Sequence, residues 1–294
     1  MLRIGLRSDG EAGAAVARHL RHLQNSGADG PDVEIVADEL AGPEVPPGLH
    51  LVVGVADGSG VSARGPDVDV WLDGTAPPER RAQAVDALWV DRLVPFAANV
   101  RSGRRARRRQ RAVLTGPDPT WPEQAARLIR RLDDAIGRST IRIDHIGSTS
   151  VPGLPAKELI DVQVTVADLP TARDVAERAR GAGFVLAAGG WSGPDRHGRP
   201  HPEQVVVDAD PGRPVNVNVR PASAPVWRET LLFRDWLRAH PDERDAYAAM
   251  KRALADGPEV HVDEYGLAKR PWISAALGRA EEWAAATGWA ALGG

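Results

Sequence analysis

His145-Ile146-Gly147-Ser148-Thr149-Ser150-Val151-Pro152-Gly153-Leu154-Pro155-Ala156-Lys157, running on through Leu159-Ile160-Asp161-Val162-Gln163-Val164, is the stretch that decides the fold. Residues 141–146 and 159–166 are short runs rich in β-branched side chains, and the loop between them is punctuated by glycine and proline. This reads as strand, tight loop, strand. Residues two apart on a strand share a face, so Asp161 and Gln163 project together. An acid inside an apolar strand is unusual and ordinarily has a partner. Lys157, His145 or an arginine would make that partner structural; a bound ligand would make it functional, and the sequence weighs the two evenly. Gly147 allows close approach of backbone to a phosphate, and Ser148 offers a hydroxyl and an N–H at the turn. The plainer reading of Gly147-Ser148 is a tight strand exit.

Outward from this stretch the pattern repeats. Residues 121–136 and 171–182 read as helices, and 184–188, 204–207 and 214–219 as strands. From 224 to 289 the chain is mostly helical in pattern. Upstream, residues 2–6, 33–37, 49–56 and 68–72 are buried-strand runs, 14–23 is a helix, and 78–100 is one amphipathic helix opening on Pro78. Alternating strands and helices imply an α/β fold, α+β in the C-terminal part. Three segments follow: 1–100, an arginine-rich linker at 101–113, and 114–294.

The chain has 294 residues, 43% of them hydrophobic, enough for two domains of ordinary size. No apolar run reaches 18 residues, which argues against a spanning helix and a membrane role. The first residues lack a secretory signal, which makes the cytoplasm the default location. The absence of cysteine removes disulfides, thiolate nucleophiles and zinc–thiolate sites. Residues 101–111 carry seven arginines and no acid. With no aromatic residue interleaved and acidic segments on both sides, this reads as a solvated linker and not a nucleic-acid contact. Only three of the 37 basic residues are lysines, Lys157, Lys251 and Lys269; the skew reads as genomic composition.

A strand, a loop of small residues and a helix at the N-terminus form the setting of a phosphate-binding loop. A working loop ends in Gly-Lys-Ser/Thr. Here Arg7-Ser8-Asp9-Gly10-Glu11-Ala12-Gly13-Ala14-Ala15 has no lysine and no closing hydroxyl, and Asp9 and Glu11 oppose a phosphate. MLRIGL, VARHL, VADELAGPEV and DALWVDRLVPFAANVRSGRR resemble successive pieces of bacterial dephospho-CoA kinase, in the form fused to a GrpB domain. The resemblance covers about residues 1–105 and implies a truncated P-loop-kinase-like domain. Between 45 and 68 most of the kinase's middle is absent, and Asp38 alone matches its acidic residue after the second strand. The expectation is a non-catalytic remnant.

The 145–164 stretch, with DPGRPVNVNVR, LLFRDWLRAHP and the tryptophan-rich tail, is similar to the GrpB family over about residues 114–290. GrpB domains resemble the nucleotidyltransferase superfamily, in which Gly-Ser is followed by Asp-x-Asp/Glu on a strand. The resemblance implies a nucleotidyltransferase-like fold with a helical C-terminal segment. It makes Asp161 and Lys157 the candidate catalytic residues, with His145, Gly147, Ser148, Thr149, Gln163 and Asn218 around the substrate. Asp161 would hold Mg²⁺ and Lys157 would neutralise charge. Gln163 stands where a second carboxylate belongs, Asn216 and Asn218 are the neighbouring-strand candidates, and the family more usually has histidine at the position of Asn218. One carboxylate is thin support for divalent ions.

Elsewhere, His197 and His201 lie in a polar stretch that reads as solvated loop, Trp191 is a candidate pocket wall, and Lys269-Arg270 reads as surface more readily than phosphate contact. Three functions remain open: an accessory module with a pocket for a nucleotide or phosphorylated ligand, a Mg²⁺-dependent nucleotidyl- or adenylyl-transferring enzyme using Ser148 and Asp161, and a protein–protein scaffold. A homodimer would cover surface left by the missing kinase segment.

Overall fold

Strands buried on both faces read as near-continuous apolar runs, and the N-terminal strands are mainly apolar, residues 51–56 throughout. In the computed structural model, which describes residues 1–8, 10–26, 32–36, 46–56, 68–105, 113–189, 191–256 and 262–291, β1 (Leu2–Arg7) is flanked by β2 (Val33–Val36) and β3 (Leu51–Ala56). Strand β4 (Val70–Asp73) lies beyond β3, so β2 and β4 form the two edges, and all pairings in this β2-β1-β3-β4 sheet are parallel. Helix α1 (Glu11–Ser26) buries Val16, Ala17 and Leu20 on it. At the β1–α1 turn, the Ser8 hydroxyl lies 1.6 Å from where a β-carbon on Gly13 would stand, so a side chain fills the turn. Asp9, Asp38 and residues 106–112 of the arginine-rich linker lie outside the described residues.

The helix expected over 78–100 is α2 (Pro78–Leu88), a π turn (Trp89–Leu93) and α3 (Val94–Ser102) in continuous succession. Pro95 explains the interruption. It has no N–H to donate, and its ring crowds the carbonyl four residues earlier, so the preceding turn widens to five residues.

In the C-terminal part, α4 (Trp121–Ile136) precedes β5 (Arg142–Ile146) and β6 (Ile160–Val166). Helix α5 (Leu169–Arg178) leads to β7 (Phe184–Leu186), β8 (Trp191–Pro194), β9 (Pro200–Asp208) and β10 (Val215–Pro221). Four helices follow: α6 (Val226–Ala239), α7 (Pro241–Ala255), α8 (Val262–Ala268) and α9 (Arg270–Thr287). The sheet runs β5-β6-β10-β9-β7, with β8 paired to β9. Only β6 and β10 are parallel, with Asp161 beside Asn216 and Gln163 beside Asn218. The whole is α/β, and the C-terminal sheet is mixed, with one parallel pairing among antiparallel ones.

The β8–β9 hairpin falls where the sequence reads as loop. Its turn is built on Asp195, whose carboxylate accepts from the backbone N–H groups of His197 and Arg199 and lies 3.2 Å from His201 Nε2. His197 belongs to this turn, and His201 lies on β9 opposite Gly193. Trp191 donates its indole N–H to the Ala187 carbonyl at 3.3 Å, anchoring the hairpin, and is not one of the residues lining the cavity between the sheet end and α7–α9.

One face of the C-terminal sheet packs Val162, Val164 and Val217 against Leu128 and Leu132 of α4 and Val175 of α5. The sheet's far edge joins the N-terminal core: Val185 and Ala209 are buried among Phe96, Ala97 and Leu93. Arg131 pairs with Asp208 at 2.5 Å and donates to the His50 carbonyl at 2.6 Å. Arg92 pairs with Asp210 at 2.6 Å, and Arg105 donates to the Asp208 carbonyl at 2.7 Å. The two sheets therefore share buried contacts. Among the described residues, no helix is long and apolar enough to cross a membrane.

Candidate functional site: a lysine-lined pocket

The loop leaving β5 turns on Gly147, whose φ of +71° is a conformation side chains disfavour. Space forbids a side chain there as well: a β-carbon would stand 2.5 Å from Asp161 Oδ2. Ser150 Oγ donates to the Gly147 carbonyl at 2.6 Å and closes the turn. From α6, Arg238 donates to the Ser150 carbonyl (2.7 Å) and Arg234 to that of His145 (3.0 Å). The loop is thus held from behind, with Ser148 and Asp161 facing a cavity of about 200 Å³ between the sheet end and α7–α9.

All three lysines of the chain line this cavity. Lys157 arrives from the loop, Lys251 from α7 and Lys269 from the start of α9. Both tyrosines of the chain are here too. Tyr265 lines the cavity, its ring 5.5 Å from Lys157 Nζ and 4.9 Å from Lys269 Nζ, and Tyr247 lies behind, hydrogen-bonded to Ser148. Tyr265 is 1% exposed, and its hydroxyl has no hydrogen-bond partner among the described residues. A buried hydroxyl left open at a cavity wall suits a ligand acceptor or donor.

Three amines face one carboxylate. Burial raises Asp161 above the usual carboxylate range, opposed by Lys157, Lys269 and a hydrogen bond from Asn216 Nδ2 at 3.3 Å. Burial lowers Lys269, with Asp161 opposing. Lys251 is 1% exposed and is pushed down to about 7, first by burial and then by the charges of Lys269, Lys157 and Arg252. Its Nζ donates to the Pro155 carbonyl and lies 2.9 Å from Ser148 Oγ.

The residues singled out by sequence divide. Ser148, Lys157 and Asp161 meet in the cavity, and Gly147 makes room for the carboxylate. His145 stands opposite Val162, not Asp161, and its Nε2 is 2.9 Å from Thr149 Oγ1; the pair bond each other beside the cavity. Burial, with Arg238 and Arg234 adding to it, drops His145 to about 4, so it is neutral at physiological pH. Gln163 is fully buried and spent: its Oε1 accepts from Arg220 at 2.6 Å and its Nε2 donates to the Trp227 carbonyl at 3.1 Å. Asn218 points to the Val162 carbonyl at 3.5 Å. Asn216, Lys251, Lys269 and Tyr265 complete the cavity in place of Gln163 and Asn218.

This donor set does not fit Mg²⁺. Among the described residues Asp161 is the one carboxylate lining the cavity, Lys157 and Lys269 face it, and the neighbouring Asn216 donates to it. Among the described residues no group of three His, Asp or Glu side chains is placed to hold a metal. The field favours an anion.

Known proteins were then compared with the chain. Dephospho-CoA kinase of Mycolicibacterium paratuberculosis is 39% identical over 75% of this chain and 58% of its own length. That of Mycobacterium tuberculosis is 38% identical over the same shares. The chain thus spans little more than half the length of these kinases. A UPF0157 protein of Streptomyces coelicolor is 38% identical over 57% of this chain and 83% of its own. The crystal structure of GrpB from Enterococcus faecalis covers 58% of this chain and 99% of its own, with 23% identity and a TM-score of 0.48. Residues 111–279, which contain the whole cavity, match the GrpB protein family, and the chain belongs to it, as a GrpB domain carried behind a dephospho-CoA-kinase-like N-terminal part.

Proposed function

We propose that the GrpB domain binds a small phosphorylated ligand, a nucleotide or a simpler phosphate ester, and that the N-terminal part does not phosphorylate anything. One observation carries the reading: every lysine in an arginine-dominated chain converges on one cavity, beside a buried tyrosine hydroxyl with no partner among the described residues. Lysine supplies a compact, rotatable ammonium suited to phosphate oxygens where the arginine fork would not fit. Ser148 adds a hydroxyl. The non-kinase part of the reading is supported by the β1–α1 turn, which lacks a lysine, is filled by Ser8 and begins its helix with Glu11.

Metal-dependent nucleotidyl transfer is the weaker reading, because among the described residues the acceptors it would require are absent or engaged. A scaffold role has less support still: the exposed large apolar side chains among the described N-terminal residues are Met1, Val90 and Val94, too few for a docking patch.

Calorimetric titration with ATP, CTP, GTP, dephospho-CoA, CoA and pyrophosphate, with and without Mg²⁺, tests the proposal. At least one should bind without Mg²⁺, and Lys157→Met or Lys269→Met should weaken it by about 10-fold or more, as expected for loss of a charged hydrogen bond worth about 1.5–3 kcal/mol. Binding that needs Mg²⁺ and vanishes in Asp161→Ala would restore the metal reading. No binding by any of these ligands would remove the phosphate pocket.

A further inference from the structure

Phosphate binding leaves one contact in this cavity unexplained. Lys157 and Lys269 are partly exposed along the cavity, but Lys251 is buried and its amine is fixed against Ser148 Oγ at 2.9 Å. The Pro155 carbonyl holds the same amine from another side, and the Tyr247 ring lies 5.3 Å away. The partly exposed Ser148 hydroxyl stands at the cavity wall, on a turn that Gly147 alone permits. A serine hydroxyl is a weak nucleophile until a base takes its proton, and a neutral lysine amine is a known base for that purpose.

The groups around Lys251 decide whether it can be neutral. Lys269 and Lys157 face it from α9 and the loop, Arg252 from its own helix, and Asp161 from β6 opposes them. Burial dominates, and its amine falls to about 7. Near neutral pH much of it therefore carries a lone pair. One N–H can stay on the Pro155 carbonyl while the lone pair accepts from Ser148. A lysine serving only as a counter-ion would gain nothing from losing its charge.

We propose that Ser148 and Lys251 are a nucleophile–base pair that transfers the acyl group of a small anionic oxyester, with Lys157 and Lys269 holding the anionic end. Ser148 Oγ bonds to the acyl carbon as its proton passes to Lys251 Nζ. The ester C–O bond breaks, and Lys251 returns that proton to the departing alcohol oxygen. Water then attacks the acyl-Ser148 carbon, Lys251 again taking a proton, and the carboxylic acid leaves with Ser148 restored. Ester and water become acid and alcohol, and no metal or redox partner enters. The orientation of the substrate rests on the anion-binding reading above; the nucleophile–base pair does not.

The test uses the full chain and mono-4-nitrophenyl succinate, an activated ester with a carboxylate tail. Release of nitrophenolate should be accompanied by a succinyl group on Ser148, located by peptide mass mapping. Ser148→Ala should abolish it, and Lys251→Met should slow it on the order of 10²-fold. The wild-type acylation rate should rise through an inflection near pH 7, a readout that does not depend on any variant folding. Lys157→Met should raise the half-saturating concentration and leave acylation at saturation. No acylation above the Ser148→Ala background would overturn the proposal, and so would a succinyl group on Lys251. Pyrophosphate and succinate binding, measured calorimetrically on the same samples, separates the two ideas: binding without acylation removes only the nucleophile–base pair, and acylation without anion binding removes only the phosphate reading.

Discussion

Lysine keeps its charge at neutral pH unless burial removes the water that stabilises it. Lys251, lowered from 10.5 to about 7, therefore links stability to pH. Above pH 10.5 the amine is neutral in both states and has no effect. As pH falls below that value the unfolded chain takes up the proton first, so the folded state loses ground until about pH 7, after which the loss is constant. Wild-type stability should consequently rise between pH 7 and 9.5, and Lys251→Met should lack much of that rise; urea denaturation at both pH values measures it. An equal slope in the variant would mean that another group is responsible. At this scale the sequence showed part of the site. Ser148, Lys157 and Asp161 lie within one local run, where strand periodicity and loop punctuation can be read directly. Lys251 and Lys269 lie about a hundred residues away on helices, and no local pattern connects them. Their signal was present as rarity: three lysines in a chain that otherwise uses arginine, a bias attributed to composition that instead marks a single cavity.

Element by element, strand periodicity puts Asp161 and Gln163 on one face, and the structure keeps them there with different neighbours. Asp161 stands at the start of β6, open to the cavity. Two residues deeper, Gln163 is covered by α6 and clamped by Arg220, which also pairs with Glu203 at 2.6 Å and Thr230 at 2.9 Å. Depth along a strand is invisible to a period of two, which is why the amide read as one of the residues around the substrate. Gln163→Ala should thus cost about 1–3 kcal/mol, the penalty for leaving a buried donor unpaired, and leave pyrophosphate affinity within twofold of wild type. Calorimetric binding set beside chemical denaturation checks both halves; a large affinity loss at unchanged stability would return Gln163 to the site. The β8–β9 hairpin was hidden for a related reason. Its turn is made by the buried carboxylate of Asp195, whereas proline, glycine and charged residues dominate the sequence around it.

At the scale of the whole molecule, the kinase-like part and the GrpB domain meet through desolvated ion pairs and a common apolar core. Apart from β8, the order of strands and helices was legible in each part, but their docking was not, since Arg92, Arg131, Asp208 and Asp210 look like ordinary surface charges in sequence. Asp208 is fully buried, with Arg131 at 2.5 Å and its neighbour Asp210 bound by Arg92. Removing one member of such a pair strands a charge out of water, a loss of about 3–5 kcal/mol. Arg131→Ala should fall at the low end of that range, because the arginine is itself slightly exposed, and should lose its stacking on Phe184. The informative readout is cooperativity. With Val185 and Ala209 buried beside Phe96 and Leu93, the two parts should unfold in one transition followed equally by circular dichroism and by tryptophan fluorescence, and Arg131→Ala should shift that single transition to lower denaturant. Two separated transitions in the wild type, with only one displaced in the variant, would show instead that each part is stable alone and that the ion pairs merely decorate a contact between them.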